Sequence, residues 1–281
     1  GKSPQGESAV DGKAIGAAGL RQHMLVLASD EMEGRETGTP GFDRAAAYVV
    51  DHLTALGVKP GAEHWRQSLT VRRTRVDESG TSLTIQRGRE TVSLAYGEDY
   101  VSYGVRGTTG ETSVSSAVVY AGDGVSIPDR SLDPYREVTV RDRIVVLAGG
   151  APPSLSEGER SFYGDATQKA ATAAAHGARA VLLVDDPQIP WDLRVRAARQ
   201  LGTNELLPLT AADRSAIPVV YVNQRVAAQL LGGGASRRQT SPVSDAHATL
   251  RLRQQSREVR SANVVGVLPG RDSRLARELV V

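Results

Sequence analysis

One stretch constrains this chain more than any other: Gln168 to Asp186, Gln-Lys-Ala-Ala-Thr-Ala-Ala-Ala-His-Gly-Ala-Arg-Ala-Val-Leu-Leu-Val-Asp-Asp. Its first part is alanine-dense, and alanine has the strongest intrinsic preference for helix. Gly177 falls where a helix commonly ends in a left-handed residue, a conformation only glycine adopts cheaply. Ala180-Val181-Leu182-Leu183-Val184 follows at once and two aspartates close it. A short apolar run of this kind reads as a strand buried on both faces. Helix, glycine stop and buried strand make one half of an α/β layer. Arg143-Ile144-Val145-Val146-Leu147 upstream and Ile217-Pro218-Val219-Val220-Tyr221-Val222 downstream are its expected neighbours in the sheet.

A chain of 281 residues has room for two domains or one large one. Its 34 Lys and Arg against 32 Asp and Glu leave a net charge of +2. The cations are spread along the chain among the acids, whereas a nucleic-acid binder concentrates them on one face. No nucleic-acid partner is expected. Cysteine is absent, which excludes a disulfide framework, a thiolate nucleophile and a thiolate metal site. No apolar run approaches the roughly 18 residues of a membrane span. The chain opens on Gly1 without a signal-peptide apolar region, so any targeting segment is expected to have been removed or left out.

Taken in order, residues 1 to 11 read as loose. Ala17, Leu20, Met24 and Leu27 then share one face at helical spacing. Thr39-Pro40 starts a second helix, with a hydroxyl cap and proline at the first position. Phe42, Ala45, Val49, Leu53 and Leu56 form its expected buried stripe, and Gly57 its stop. Residues 65 to 96 alternate in three runs, Leu69/Val71, Leu83/Ile85 and Val92/Leu94. With turns at Asp77-Glu78-Ser79-Gly80 and Arg87-Gly88-Arg89, they predict an antiparallel meander. Arg72, Arg73 and Arg75 are its expected solvent side. Val118-Val119-Tyr120 and Asp142 to Leu147 are strands, and Pro152-Pro153-Ser154 opens a long polar loop. Residues 187 to 216 take no clear assignment. Val226 to Leu231 is a short helix capped by Asn223 and stopped by Gly232-Gly233-Gly234. A half-exposed strand starts at Ala246, a strand and turn run from Ala262 to Gly270, and Leu279-Val280-Val281 begins another strand.

The residues alone display no reaction centre. The histidines are His23, His52, His64, His176 and His247. None lies in a His-Glu-x-x-His helix that would aim two imidazoles at one zinc. Asp245-Ala246-His247 could set two ligands on one side of a strand, but an exposed polar face explains it more simply. His52 reads as a solvated surface residue, and His176 as a last-turn residue that suits the helix dipole. There is no Gly-x-Ser-x-Gly elbow and no phosphate loop. Glu31, Glu33 and Glu36 cluster in one polar loop, where solvation is the plainer reading than proton transfer.

Three stretches together resemble one family. Leu27-Ala28-Ser29-Asp30-Glu31-Met32-Glu33-Gly34-Arg35-Glu36-Thr37-Gly38-Thr39-Pro40-Gly41, within Leu20 to Gly57, is similar to the start of secreted zinc aminopeptidases related to aminopeptidase Y and glutamate carboxypeptidase II. Residues 98 to 256 resemble their protease-associated (PA) domain, marked here by Asp142-Arg143-Ile144-Val145-Val146, Lys169 to Asp185, Ile217-Pro218-Val219 and Val226-Ala227-Ala228-Gln229-Leu230-Leu231. Ser261-Ala262-Asn263-Val264-Val265-Gly266-Val267-Leu268-Pro269-Gly270 resembles the strand by which such enzymes re-enter the catalytic domain.

The resemblance implies an α/β fold, with a PA domain inserted into an incomplete α/β/α zinc-exopeptidase domain. The expected division is residues 1–97 for the front of the peptidase domain, 98–256 for the PA domain and 257–281 for the return. It also implies a two-zinc hydrolase, acting on the N-terminal residues of peptides in a secreted or periplasmic setting. In such sites two metals roughly 3.5–4 Å apart polarise the carbonyl and supply hydroxide, while a glutamate acts as general base. The family's ligands begin with a His-x-Asp at the end of the strand that Glu278-Leu279-Val280-Val281 starts, and the chain ends before it. No catalytic residue and no metal ligand is therefore assigned within the chain, and no zinc is expected in these residues alone. Arg35 and Glu36, in the loop Gly34 to Gly38, are the candidates for the rim of a substrate cleft. A helix-capping loop that needs glycine for its turns is the competing reading. The competing function is a non-catalytic PA interaction module, as in receptors that keep this architecture without the chemistry. A His-x-Asp just after Val281 would discriminate the two.

Overall fold

The computed structural model of the chain describes residues 16–210, 216–231 and 240–270, without the side chains of 241–244. They divide into two compact units, one of residues 1–69 and 259–281 and the other of residues 70–258. The expected loose start, the triple-glycine stop and the final strand lie outside the described residues.

The larger unit is a mixed α/β fold on a ten-stranded sheet. Its centre is four parallel strands: β6 (Gly110–Ala121), β7 (Ile144–Ala148), β8 (Ala180–Val184) and β10 (Val219–Val222). Their side chains alternate between two cores, as the period of two requires. Ile144, Val146, Ala180 and Leu182 face one, and Val145, Leu147, Val181 and Leu183 face the other. Helix α4 (Ala166–Ala175) covers the second face with Ala170 and Ala173. It ends as expected, with Gly177 at φ +88° handing the chain to β8. Helix α6 (Gln224–Leu231) closes the first face with Val226, Ala227 and Leu230. Its cap is Asn223, whose Oδ1 accepts from the Val226 N–H at 2.9 Å.

Antiparallel strands complete the sheet. β11 (Thr240–Val264) pairs β6 on one side and β3 (Ser82–Arg87) on the other. Its buried Ala246, Ala248, Leu250 and Leu252 alternate with exposed His247 and Arg251. The separate strands expected from Ala246 and Ala262 are one continuous element. β4 (Glu90–Leu94) pairs β3, and β5 (Tyr100–Val101) pairs β10.

Three expectations are corrected here. The meander is only the β3–β4 hairpin, because β2 (Arg66–Val76) pairs with β9 (Thr203–Leu207) from a distant part of the chain. That pairing buries Arg73, taken from sequence as solvent-facing, to 5% exposure, with its Nε donating to Asn204 Oδ1 at 3.2 Å. Leu83, Ile85 and Leu94 belong to the core of the larger unit, which begins at residue 70. Two further helices are present, one within the stretch read as a long polar loop and one in the stretch left unassigned. α3 (Glu157–Gly164) starts on a capping box, in which the Ser156 hydroxyl and the Glu159 carboxylate satisfy each other's backbone N–H groups. α5 (Trp191–Leu201) lies in the stretch 187–216.

The smaller unit holds α1 (Ala17–Leu27), a 3₁₀ segment (Asp30–Arg35), α2 (Pro40–Ala55) and a two-stranded ribbon of β1 (Lys59–Pro60) with β12 (Gly266–Val267). Thr39 caps α2, accepting from the Phe42 N–H at 3.3 Å. The apolar stripes are less covered than their spacing predicts. Leu56 is 76% exposed, Met24 is 69% exposed, and no residue of α1 is buried.

Candidate functional site

Among the described residues of the larger unit, a concavity lies beside α4. Asp165 starts that helix, its carboxylate accepting from the N–H groups of Thr167 and Gln168 at 2.9 and 3.0 Å. From there Ala166, Ala170, Ala171, Ala174 and Ala175 form one wall of a cavity of about 940 Å³. Alanine leaves this volume open where a longer side chain would fill it. Ile217 and Val219 extend the apolar lining, and Tyr103, Tyr221, Arg106 and Arg194 supply the polar groups.

These groups are held rigidly. The guanidinium of Arg194, from α5, lies 4.2 Å over the Tyr221 ring and bonds Asp185 at 2.7 Å. Asp185 is the aspartate that closes β8 and is 6% exposed. The Tyr103 and Tyr221 rings meet edge to face at 5.6 Å. Burial pushes the Tyr221 phenol up to about 12, more than the nearby Arg194 charge pulls it down. Burial alone would lower Arg194, but hydrogen bonds with Tyr103 and Asp185 outweigh it and raise it. The phenol therefore stays protonated and the arginine charged at any physiological pH. A smaller hollow of about 290 Å³ adjoins at Gly149, Gly150 and Asp186, at the carboxyl ends of the parallel strands. Arg194 and Tyr221 line both. The arrangement offers apolar surface, aromatic edges and fixed N–H and O–H donors. It is suited to holding a ligand.

The residues picked from sequence lie in the smaller unit. Arg35 and Glu36 are adjacent and exposed, at the end of the 3₁₀ segment. Glu33, Gly34 and Arg35 are three consecutive residues at φ +48°, +71° and +57°. Each non-glycine residue in that region costs of order 1 kcal/mol, so its surroundings must over-determine the turn. They do. Met32 is buried, Arg44 of α2 donates to Glu31 O at 2.7 Å, and Arg44 pairs Glu33 at 2.9 Å. Gly41 approaches so closely that a Cβ there would sit 2.0 Å from Met32 O. Arg35 and Glu36 are thus presented, exposed, on a braced turn.

The histidines are dispersed, as the spacing implied, except that His23 and His52 meet across α1 and α2 with ring centroids 5.0 Å apart. His176 stacks on Tyr135 at 4.3 Å, and Asp245 and His247 are exposed on β11. Among the described residues, no three His, Asp or Glu side chains converge on a point that could hold a metal. The residues that sequence reasoning missed are Tyr103 in the loop after β5, Tyr221 on β10 and Arg194 on α5. The one local signal was Asp185, a carboxylate directly after a fully buried strand.

A family model described as PA domain matches residues 106–230, all within the larger unit. No curated protein matches the chain. Among solved structures, an aminopeptidase from Aneurinibacillus sp. strain AM-1 is similar at 16% identity and a TM-score of 0.45, covering 90% of this chain and 49% of its own. BSAP, a zinc aminopeptidase from Bacillus subtilis, is similar at 16% identity and a TM-score of 0.38, with 89% and 47% covered. The chain spans about half the length of these two, at 49% and 47%. The subtilisin-like protease Apa1 from the Antarctic psychrotroph Pseudoalteromonas sp. AS-11 is similar at 11% identity and a TM-score of 0.33, over 66% of this chain and 35% of its own. No helix among the described residues is long and apolar enough to cross a membrane.

Proposed function

We propose that this chain is the front portion and PA domain of a secreted or periplasmic zinc-dependent aminopeptidase, which removes N-terminal residues from peptides. One observation carries the reading. The smaller unit is assembled from both sides of the PA-bearing segment: Gly61 N–H donates to Val265 O at 2.8 Å, and Val265 N–H to Trp65 O at 2.9 Å. That is the pattern of a domain inserted into a host that resumes afterwards. The resemblance of residues 27–41 and 261–270 to zinc aminopeptidases names the host. On this reading the metal ligands and the general base belong to sequence beyond Val281, and Arg35 and Glu36 lie on the cleft rim. The alanine-walled cavity of the PA domain would then hold an apolar side chain of a peptide. The second reading is a PA module that binds without catalysis.

The experiment compares the 281-residue polypeptide with a form extended through the next conserved-length peptidase segment, using zinc analysis after dialysis and aminoacyl chromogenic substrates. Turnover and two retained zinc ions in the long form alone support the proposal. Turnover by the 281 residues themselves would overturn it, and an inert long form would establish the binding module instead.

A further inference from the structure

Outside the cavity and the loop of Arg35, two elements bring His23 of α1 together with His52 of α2. We propose that these two histidines form a site for a first-row transition ion, and that the ion fastens α1 onto α2. The ring centroids are 5.0 Å apart and the planes cross at 77°. Two imidazoles bound side by side to one ion, with metal–nitrogen bonds of about 2.0–2.1 Å, place their ring centres at roughly this separation.

Tyr48 prepares both rings. His52 Nδ1 lies 2.8 Å from the Tyr48 carbonyl oxygen. A carbonyl only accepts, so Nδ1 carries the hydrogen and the lone pair of the neutral ring sits on Nε2. His23 Nδ1 lies 2.7 Å from the Tyr48 hydroxyl. Donation from that Nδ1 to the hydroxyl leaves its Nε2 as the ligating atom too. A ligating histidine commonly has its other ring nitrogen held by a carbonyl or hydroxyl in this way, which fixes tautomer and ring orientation. The Tyr48 ring also packs 4.1 Å from that of His52. Both histidines are exposed, so water can complete the coordination shell. Two neutral imidazoles with water suit copper(II), nickel and zinc, and do not suit magnesium or calcium.

The site has a structural consequence. α1 buries none of its residues, and a side-chain hydrogen bond between His23 Nδ1 and the Tyr48 hydroxyl joins it to α2. A bound ion would add a coordinate link between the helices.

The test is calorimetric titration of the 281-residue chain with nickel, copper(II) or zinc chloride, followed by proton NMR of the imidazole signals. One ion per chain is expected, with copper tightest. His23→Ala and His52→Ala should each weaken binding at least tenfold, and the double variant little further. His64→Ala, His176→Ala and His247→Ala should leave it unchanged. Copper should broaden the ring signals of His23 and His52 first and together, and nickel should slow proteolysis within α1. Unchanged affinity in the double variant, or broadening of one of the pair without the other, would overturn the proposal. Because both side chains are exposed, these variants should keep the wild-type circular dichroism spectrum, and a loss of binding can then be read as loss of ligands.

Discussion

α1 and α4 are of similar length, and both form complete helices although α1 carries Gly19, yet they end differently. α4 buries Ala170 and Ala173 against the sheet, while α1 leaves Leu20 and Met24 51% and 69% exposed. The difference is not in propensity, since alanine, leucine and methionine are all good helix formers. It lies in what each helix has to cover. α4 crosses between two adjacent parallel strands, so a sheet face is supplied to it by the same short stretch of chain. α1 brings an apolar stripe without a comparable surface among the described residues of its own unit. An amphipathic pattern states that a face wants burial. It does not supply the partner.

The comparison can be broken most directly at Leu183. This side chain is 3% exposed in the middle of β8, and Leu183→Ala should cost about 2–5 kcal/mol from lost transfer energy and the cavity left behind. Denaturant unfolding measures it. A loss below about 1 kcal/mol would mean that the parallel core yields as easily as the surface of α1.

A second test asks whether the smaller unit has any point as tightly packed as that core. Gly41 is the place, and Gly41→Ala, whose Cβ would meet the Met32 carbonyl, should cost about 1–3 kcal/mol as the braced turn moves away from α2. A neutral result would show that the turn bearing Arg35 and Glu36 is loosely held.

A third concerns the exposed helix of the larger unit. Hydrogen bonds from the Ser156 backbone and then from Arg130 hold the Glu159 carboxyl at about 2, below its ordinary 4.5. Because the folded value is depressed, the stabilisation is present above about pH 4.5 and is lost as pH falls towards 2. Stability measured across that window should decline in the parent chain and stay flatter in Glu159→Gln. A carboxyl titrating near its ordinary value by NMR would remove the capping box from the account.

The smallest effect is expected where the comparison began. Leu20→Ala and Met24→Ala should each change unfolding of the 281-residue chain by less than about 0.5 kcal/mol, the range of ordinary surface substitutions. A larger loss for either would reveal a partner for that face.

The local grammar of the chain was legible in its residues. Alanine density, Gly177 and the run Ala180 to Val184 specified helix, stop and buried strand, because each depends on backbone preference and on a nearly continuous apolar stretch. Thr39-Pro40 and Asn223 marked helix starts for the same reason, and Ser156 with Glu159 carried a capping signature of that kind although the stretch reads as loop. Pairing between distant segments was not legible. That β2 would leave β3 and join β9 depends on which strand edge the completed sheet left open, and only the fold decides this. The burial of Arg73 followed from that pairing, and nothing adjacent to it in sequence signals it. The candidate site was the least legible part. Tyr103, Arg194 and Tyr221 have no shared spacing, and they meet because β10 lies between parallel β8, whose following helix α5 carries Arg194, and antiparallel β5, whose following loop carries Tyr103.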